Sequence, residues 1–274
     1  MAIEPVVETL KFASADMIQA HIYTIGPLQV GIYSHRAPDK ETPNEDAAIL
    51  IPVGEDSCVL GLADGAGGMR GGVQASLAAI EALQKAIEEG MRNGGGELRD
   101  AILNGMENAH ADVNALGIGA CTTLSVIEVH KQSIRPYHVG DSGILVTGQR
   151  GRLKLQSLPH SPVAYAVEAG FLDEAEAMHH EERHLVTNMI GAPGMRIEIG
   201  AVLELAARDR LVVASDGLFD NLLPNEIVEH IRRGPLKRGL TELARQCHHY
   251  MVHPEEDHPS KPDDLTILTA HLLQ

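Results

Sequence analysis

Residues 59–68 read VLGLADGAGG. Val59, Leu60, Leu62 and Ala63 form an apolar run that stops at Asp64, and small residues follow. The pattern predicts a buried strand that carries a carboxylate to its C-terminal tip and then turns. Gly65, Gly67 and Gly68 leave room there for another group to approach the backbone. An isolated Asp-Gly is ordinarily a turn, but here the design recurs. Residues 211–220 read LVVASDGLFD, residues 139–143 read VGDSG, and Asn44, Glu45 and Asp46 precede the apolar run 47–53. Four acidic strand ends or starts in one chain predict carboxylates gathered around hard cations, which prefer oxygen ligands.

The rest of the chain supplies a large soluble body for such a site. Its 274 residues are 44% hydrophobic and 22% charged, the proportions of a globular domain. Aromatics make up 3% with no Trp, so stacking on bases is not its business. A formal charge of −16 and a pI near 5.3 argue against nucleic acid or an anionic membrane as partner. Cys58, Cys121 and Cys247 form no close pair, which fits a reducing cytoplasm. The first residues carry acids and no basic or long apolar region, and no apolar run approaches the ~20 residues of a membrane span. A cytoplasmic monomer of one domain, residues 1–274, is expected.

Along the chain, residues 1–28 offer at most an edge strand, and 29–33 a short strand. Runs 47–53 and 58–63 flank Gly54–Ser57 as a hairpin. Helical spacing follows over 73–91 and 98–113, broken at Gly94–Gly96. Strands are predicted at 121–129, 135–139, 143–147, 153–155, 196–205, 209–215 and 265–272. Short helices are predicted within 161–182, and further helices at 218–222, 224–231 and 236–251. Strand–turn–strand spacing argues for antiparallel pairing. An α+β fold accommodates this order: a four-layer α-β-β-α sandwich, two antiparallel sheets face to face with helices outside.

Asp46, Asp64, Asp216 and Asp263 or Asp264 lie at strand boundaries across the chain. Two Mg²⁺ or Mn²⁺ ions about 3.5–4 Å apart can share a carboxylate and a water, lower that water's pKa, and neutralise a phosphoryl group. NED at 44–46, DGAGG at 64–68, GDS at 140–142, SDGLFD at 215–220 and DDLT at 263–266 together resemble the type 2C, metal-dependent Ser/Thr protein phosphatases, the bacterial branch above all. The resemblance runs from about residue 29 to the end.

It implies hydrolysis of phosphoserine and phosphothreonine in protein substrates by a water bridging two ions. Asp64 would bridge the metals, with the Gly65 carbonyl completing one shell. Asp46 and, through water, Glu45 would serve one ion; Asp216 and Asp263 would hold the other. Asp263, not Asp264, aligns with the family's ligand. Asp141 and Asp220 match the positions of a third, weaker ion. Residues 161–190 match the variable flap beside the site.

The phosphate grip departs from the pattern. Glu41 stands where many members have a phosphate-binding Arg, leaving Arg36 or Lys40 as substitutes. Ala66 stands where some relatives have a His, and Gly143 where an Arg often follows GDS. A catalytically weak member acting as a binding or sensing module is the alternative. A remoter one is zinc peptidase chemistry, since HEERH at 180–184 matches HExxH, with His180 and His184 on one helix face and Glu181 as base. His110, His160 and His179 have no partner evident in the sequence and are expected to be surface or packing residues.

Overall fold

The computed structural model describes residues 8–66, 71–92, 96–173, 176–177, 180–256 and 258–273. Gly67 and Gly68 of the first Asp-Gly loop, Gly94 and Gly95 of the helix break, and His179 lie outside the described residues.

Two antiparallel sheets face each other. One runs β1 (Leu10–Ala13), β4 (Ala47–Pro52), β5 (Ser57–Ala63), β8 (Leu124–His130), β9 (Ser133–Val139) and β12 (Glu198–Ile199), with β13 (Leu203–Glu204) also on β9. The other runs β11 (Leu153–Gln156), β10 (Gly143–Thr147), β14 (Arg210–Ala214), β15 (Leu265–Leu272), β3 (Leu28–His35) and β2 (His21–Ile25). A short ribbon pairs β6 (Gly65–Ala66) with β7 (Cys121–Thr122). Helices α1 (Gly71–Met91) and α2 (Leu98–Ala115) cover the first sheet. Helices α5 (Pro224–Ile231) and α6 (Leu236–Val252) cover the second, while α3 (Pro162–Glu168) and the single turn α4 (Asp216–Phe219) lie between elements.

Period-two alternation builds the layers. In β4, Ile49 and Ile51 pack with Ile80, Leu83 and Met106 under the helices, while Ala48 and Leu50 pack with Leu62, Val213 and Leu268 between the sheets. In β14, Val213 faces between the sheets while Val212 and Ala214 join Ile227, Leu240 and Leu243. Both faces of these strands are dry, which is why LVVAS carries no polar face. Each fully buried Leu or Ile contributes about 1.5–3 kcal/mol. Three such clusters hold the fold and leave the acidic end free to be unfavourable.

Several boundaries differ from expectation. Residues 8–27 supply two edge strands, β1 and β2, one to each sheet. The strand expected at 121–129 breaks at Thr123, because β7 leaves the sheet to pair with β6 while Thr123 binds Asp64. The strand expected at 196–205 is two short pieces separated at Gly200. Pro136 on the facing strand has no N–H to give, and a Cβ at Gly200 would lie 2.5 Å from its ring. The segment 161–182 keeps the short helices expected of it: α3, with Ser161 as N-cap accepting from Ala164 N at 3.1 Å, and a helical piece at 176–177, before the turn at 181–184. The helix expected at 218–222 instead begins at Asp216 itself.

Candidate metal centre

Hairpin register brings the first two acids together. Ala47 pairs with Ala63, so Asp46 and Asp64 sit across from one another at one end of the sheet. Asn44 shapes the approach: its Oδ1 accepts Asp46 N at 2.8 Å, and its Nδ2 donates to Ala15 O at 2.9 Å and Ser34 Oγ at 3.0 Å. Asp46 is 1% exposed; Ser215 Oγ donates to its Oδ2 at 2.9 Å, and its Oδ1 has no partner. Glu45 Oε1 is likewise buried without a partner. Asp64 is fixed through its backbone, its N donating to Thr123 Oγ1 at 2.9 Å and its O accepting from Thr122 Oγ1 and Thr123 N, each at 2.8 Å.

The second sheet delivers the rest. Gly143 pairs with Ala214, which sets the Asp141 turn beside Asp216. Gly140 in that turn has φ +107°, and its N donates to His160 Nδ1 at 3.0 Å. Gly217 is required after Asp216, because a Cβ there would lie 2.0 Å from Asp264 O. Gly65 and Gly72 are equally close-packed: a Cβ on Gly72 would sit 2.3 Å from Glu45 Oε1. Where relatives carry an Arg, Gly143 faces the Phe219 ring, 2.3 Å from where a Cβ would stand.

The electrostatics follow from this convergence. Burial, then the charges of Asp46, Asp216, Asp263 and Asp141, hold the Asp64 carboxyl well above the usual range. Burial, then Asp264, does the same for Asp46, and burial with Asp216 raises Asp263. The Asp141 carboxyl is pushed up to about 7 by burial, then by Asp216 and Asp220. Such a cluster is costly alone. The two partnerless oxygens and the mutual repulsion both fit hard divalent cations.

Asp263 and Asp264 differ in role. Asp264 is 4% exposed and fully engaged: Oδ1 accepts Ala37 N at 2.8 Å, and Oδ2 accepts Glu45 N at 2.7 Å and Lys40 Nζ at 2.6 Å. It fastens the 37–45 loop. Asp263 Oδ1 accepts Asp264 N at 2.9 Å, and its Oδ2 faces the cluster.

Neither candidate phosphate ligand stands clear. Lys40 Nζ also holds Glu45 Oε2 at 2.9 Å, with a side chain 20% exposed. Arg36 pairs with Asp16 at 3.3 Å on the surface, outside the cluster, and Glu41 is exposed. Sequence reasoning missed Lys261, whose Nζ touches three of the acids, and the positioning side chains Asn44, Thr123, Ser215 and Asn221. Polar residues flanking an acidic strand end were the only signal for the last group.

The HEERH stretch is a turn, not a helix, so His180 and His184 share no face. His180 Nδ1 accepts Glu182 N at 3.1 Å, and His184 lies 3.2 Å from Asp220 Oδ2. His160 is wholly buried and does have partners. Its Nδ1 accepts Gly140 N and Asn188 Nδ2, so its Nε2 keeps the hydrogen and donates to Glu198 at 3.1 Å. That tautomer leaves His160 itself no lone pair to give an ion in the group it forms with His138 and Glu198. His110 likewise has partners, its Nδ1 accepting Gly191 N at 3.0 Å. No helix among the described residues is long and apolar enough to cross a membrane.

Residues 33–252 match the family described as Protein phosphatase 2C. Protein phosphatase PhpP of Streptococcus pneumoniae is 30% identical over 195 residues, 69% of this chain and 78% of its own. The serine/threonine phosphatase of S. agalactiae superposes with a TM-score of 0.76 at 25% identity, over 90% of this chain and 100% of its own. The catalytic domain of the serine threonine protein phosphatase PstP, in complex with two manganese ions, shares the fold with a TM-score of 0.70 at 24% identity, over 90% and 99%. A match across most of the sequence, with a relative at this identity over two thirds of it, establishes that the chain belongs to the protein phosphatase 2C family.

Proposed function

We propose that the chain hydrolyses phosphoserine and phosphothreonine in proteins, using two Mg²⁺ or Mn²⁺ ions at the acidic end of the sandwich. The observation that carries this is the pair of buried, partnerless oxygens, Glu45 Oε1 and Asp46 Oδ1, beside carboxylates whose protonation is forced upward. Asp46, Asp64, the Gly65 carbonyl and Glu45 would hold one ion, and Asp64, Asp216 and Asp263 the other. Such ions supply Lewis acidity toward a phosphoryl oxygen and activate water for direct attack, with no phosphoenzyme. The PstP structure with two manganese ions supports that choice.

The chain's own residues do the positioning. Ser215 orients Asp46, Thr123 fixes the backbone of Asp64, and Asp264 sets the loop that carries Glu45. Arg36 is the better candidate for the substrate phosphate. Its surface pair with Asp16 is worth about 0–1 kcal/mol and exchanges readily, whereas Lys40 holds two carboxylates. The segment 161–190 reaches the acids through His184 and Asp220, which suits a flap that selects substrates within a single catalytic domain.

Hydrolysis of a phosphothreonine peptide with and without Mn²⁺ tests the reading. Turnover should require the ion and fall at least about 10³-fold in Asp64→Ala and Asp216→Ala, both remaining folded. Unchanged activity in either variant would refute the assignment. Ion uptake without turnover would leave a binding module instead.

A further inference from the structure

Three short runs hold nine of the chain's 22 Lys and Arg residues: RGRLK at 150–154, RDR at 208–210 and RRGPLKR at 232–238. Asp209 is the only acid within them. The fold brings the runs together. Thr147 pairs with Arg210, which sets the turn after β10 beside the start of β14. Gln149 O accepts from Arg232 Nη1 at 3.3 Å and Arg233 Nε at 3.4 Å, and its Oε1 accepts from Arg208 Nη1 at 3.0 Å. Arg210 Nε and Nη2 donate to Ile231 O at 3.2 Å and Gly234 O at 2.9 Å. A chain of net charge −16 thus has one strongly basic face. It lies at the far end of β14 from Asp216, about 20 Å from the metal centre at the rise of an extended strand.

Few of these charges are compensated. Lys154 pairs with Asp209 at 2.5 Å, Arg232 with Glu229 at 2.6 Å and Arg238 with Glu242 at 2.8 Å. Arg150, Arg152, Arg208, Arg233 and Lys237 are exposed and have no ion pair among the described residues. Lys237 and Arg238 also stand in the first turn of α6, which has neither an acid nor a side-chain cap, at the helix end where cations are unfavourable. Like charges crowded this way repel one another and favour an anion among them. Seven of the nine are Arg, whose planar fork takes a phosphate or carboxylate with two donors at once. The extent of the face selects the partner. A membrane or a nucleic acid duplex would continue beyond it, over the surface of an acidic chain. No aromatic residue stands in the three runs for an unpaired base to stack on. A short acidic segment of polypeptide stays within the basic area.

We propose that this Arg-rich face docks a phosphorylated, acidic segment of a protein partner, at the opposite end of β14 from the metal centre. The surface stands on its own geometry; the choice of a phosphoprotein as occupant rests on the phosphatase reading above. A phosphate held there is bound and not hydrolysed, since the acids assigned to the ions lie at the other end of the strand. A substrate with a second phosphorylated site is tethered by it, which raises the local concentration of the phosphate to be cleaved.

Fluorescence anisotropy follows the binding of a labelled peptide, with two phosphoserines among glutamates, to metal-free protein at about 0.15 M salt. Without ions the acidic centre repels phosphate and nothing is turned over. Arg150→Glu with Arg233→Glu should weaken binding at least about 10-fold. Lys85→Glu with Arg99→Glu, an equal change of charge at exposed positions on α1 and α2, should leave it nearly unchanged. A wild type that does not bind the peptide, equal losses in the two variants, or a wild-type affinity that does not fall as salt is raised would each overturn the proposal. So would tighter binding, through the same two arginines, of a single-stranded oligonucleotide or of vesicles containing phosphatidylserine, which would give the face to nucleic acid or membrane. Peptide binding by a protein that never hydrolyses a phosphopeptide with Mn²⁺ sinks the catalytic reading and keeps the docking surface. Hydrolysis without such binding removes the docking surface alone.

Discussion

Two lysines brace opposite sides of the acidic end, and they do different things. Lys40 bridges Glu45 and Asp264, and Asp264 also accepts two backbone N–H groups. Of its two partners, Glu45 belongs to the set assigned to an ion and Asp264 does not. Lys261 instead binds Asp216, Asp220 and Asp263, the side chains assigned to cations. The same chemistry fastens a loop on one side and neutralises three clustered carboxylates on the other. What separates them is Asp264, a partner of Lys40 that two backbone N–H groups already hold in place.

Asp141 offers the sharpest break of that comparison, because neither lysine pairs with it. Its folded pKa is raised from 3.8 to about 7. The folded chain thus binds a proton that the unfolded chain releases, and stability falls as pH rises from about 4 through about 7, by up to about 1.4 kcal/mol per unit. Asp141→Asn removes the effect. The stability gap between the metal-free variant and wild type should widen across that window in urea melts. A gap independent of pH would mean that Lys261 already neutralises the whole cluster.

Lys40→Gln comes next. Leaving Asp264 with one fewer donor should cost about 1–3 kcal/mol, equally in metal-free and Mn²⁺-loaded protein. A cost that vanished with Mn²⁺ would move Lys40 into the class of Lys261. The smallest effect is expected at Arg36, the exposed third cation. Arg36→Ala should raise KM for a phosphopeptide several-fold, about 1 kcal/mol, with kcat nearly kept. An unchanged KM would place the phosphate contact elsewhere.

Much of the sandwich was legible because apolar runs stop on acids. VLGLAD and LVVASD each announce a buried strand and its functional tip, and the hairpin around Gly54 fixes which acids meet. The breaks at Thr123 and Gly200 were not legible, since they depend on what lies across the ladder, Asp64 in one case and Pro136 in the other. HEERH had helical spacing, yet spacing cannot report that its residues turn back toward Asp220 and Ser260. Lys261 lay hidden in a loop rich in charge and proline, where one more lysine carries no pattern. Only the three carboxylates around it give it meaning.

The strand β15 lies in the middle of its sheet, between β14 and β3, with Leu28 opposite Leu272. On the ribosome, the amino-terminal strand must wait for a neighbour made some two hundred and forty residues later. Closing so long a loop is entropically slow. Until it closes, Asp263 is not in place, so a nascent chain cannot assemble the full cation cage before its last strand emerges.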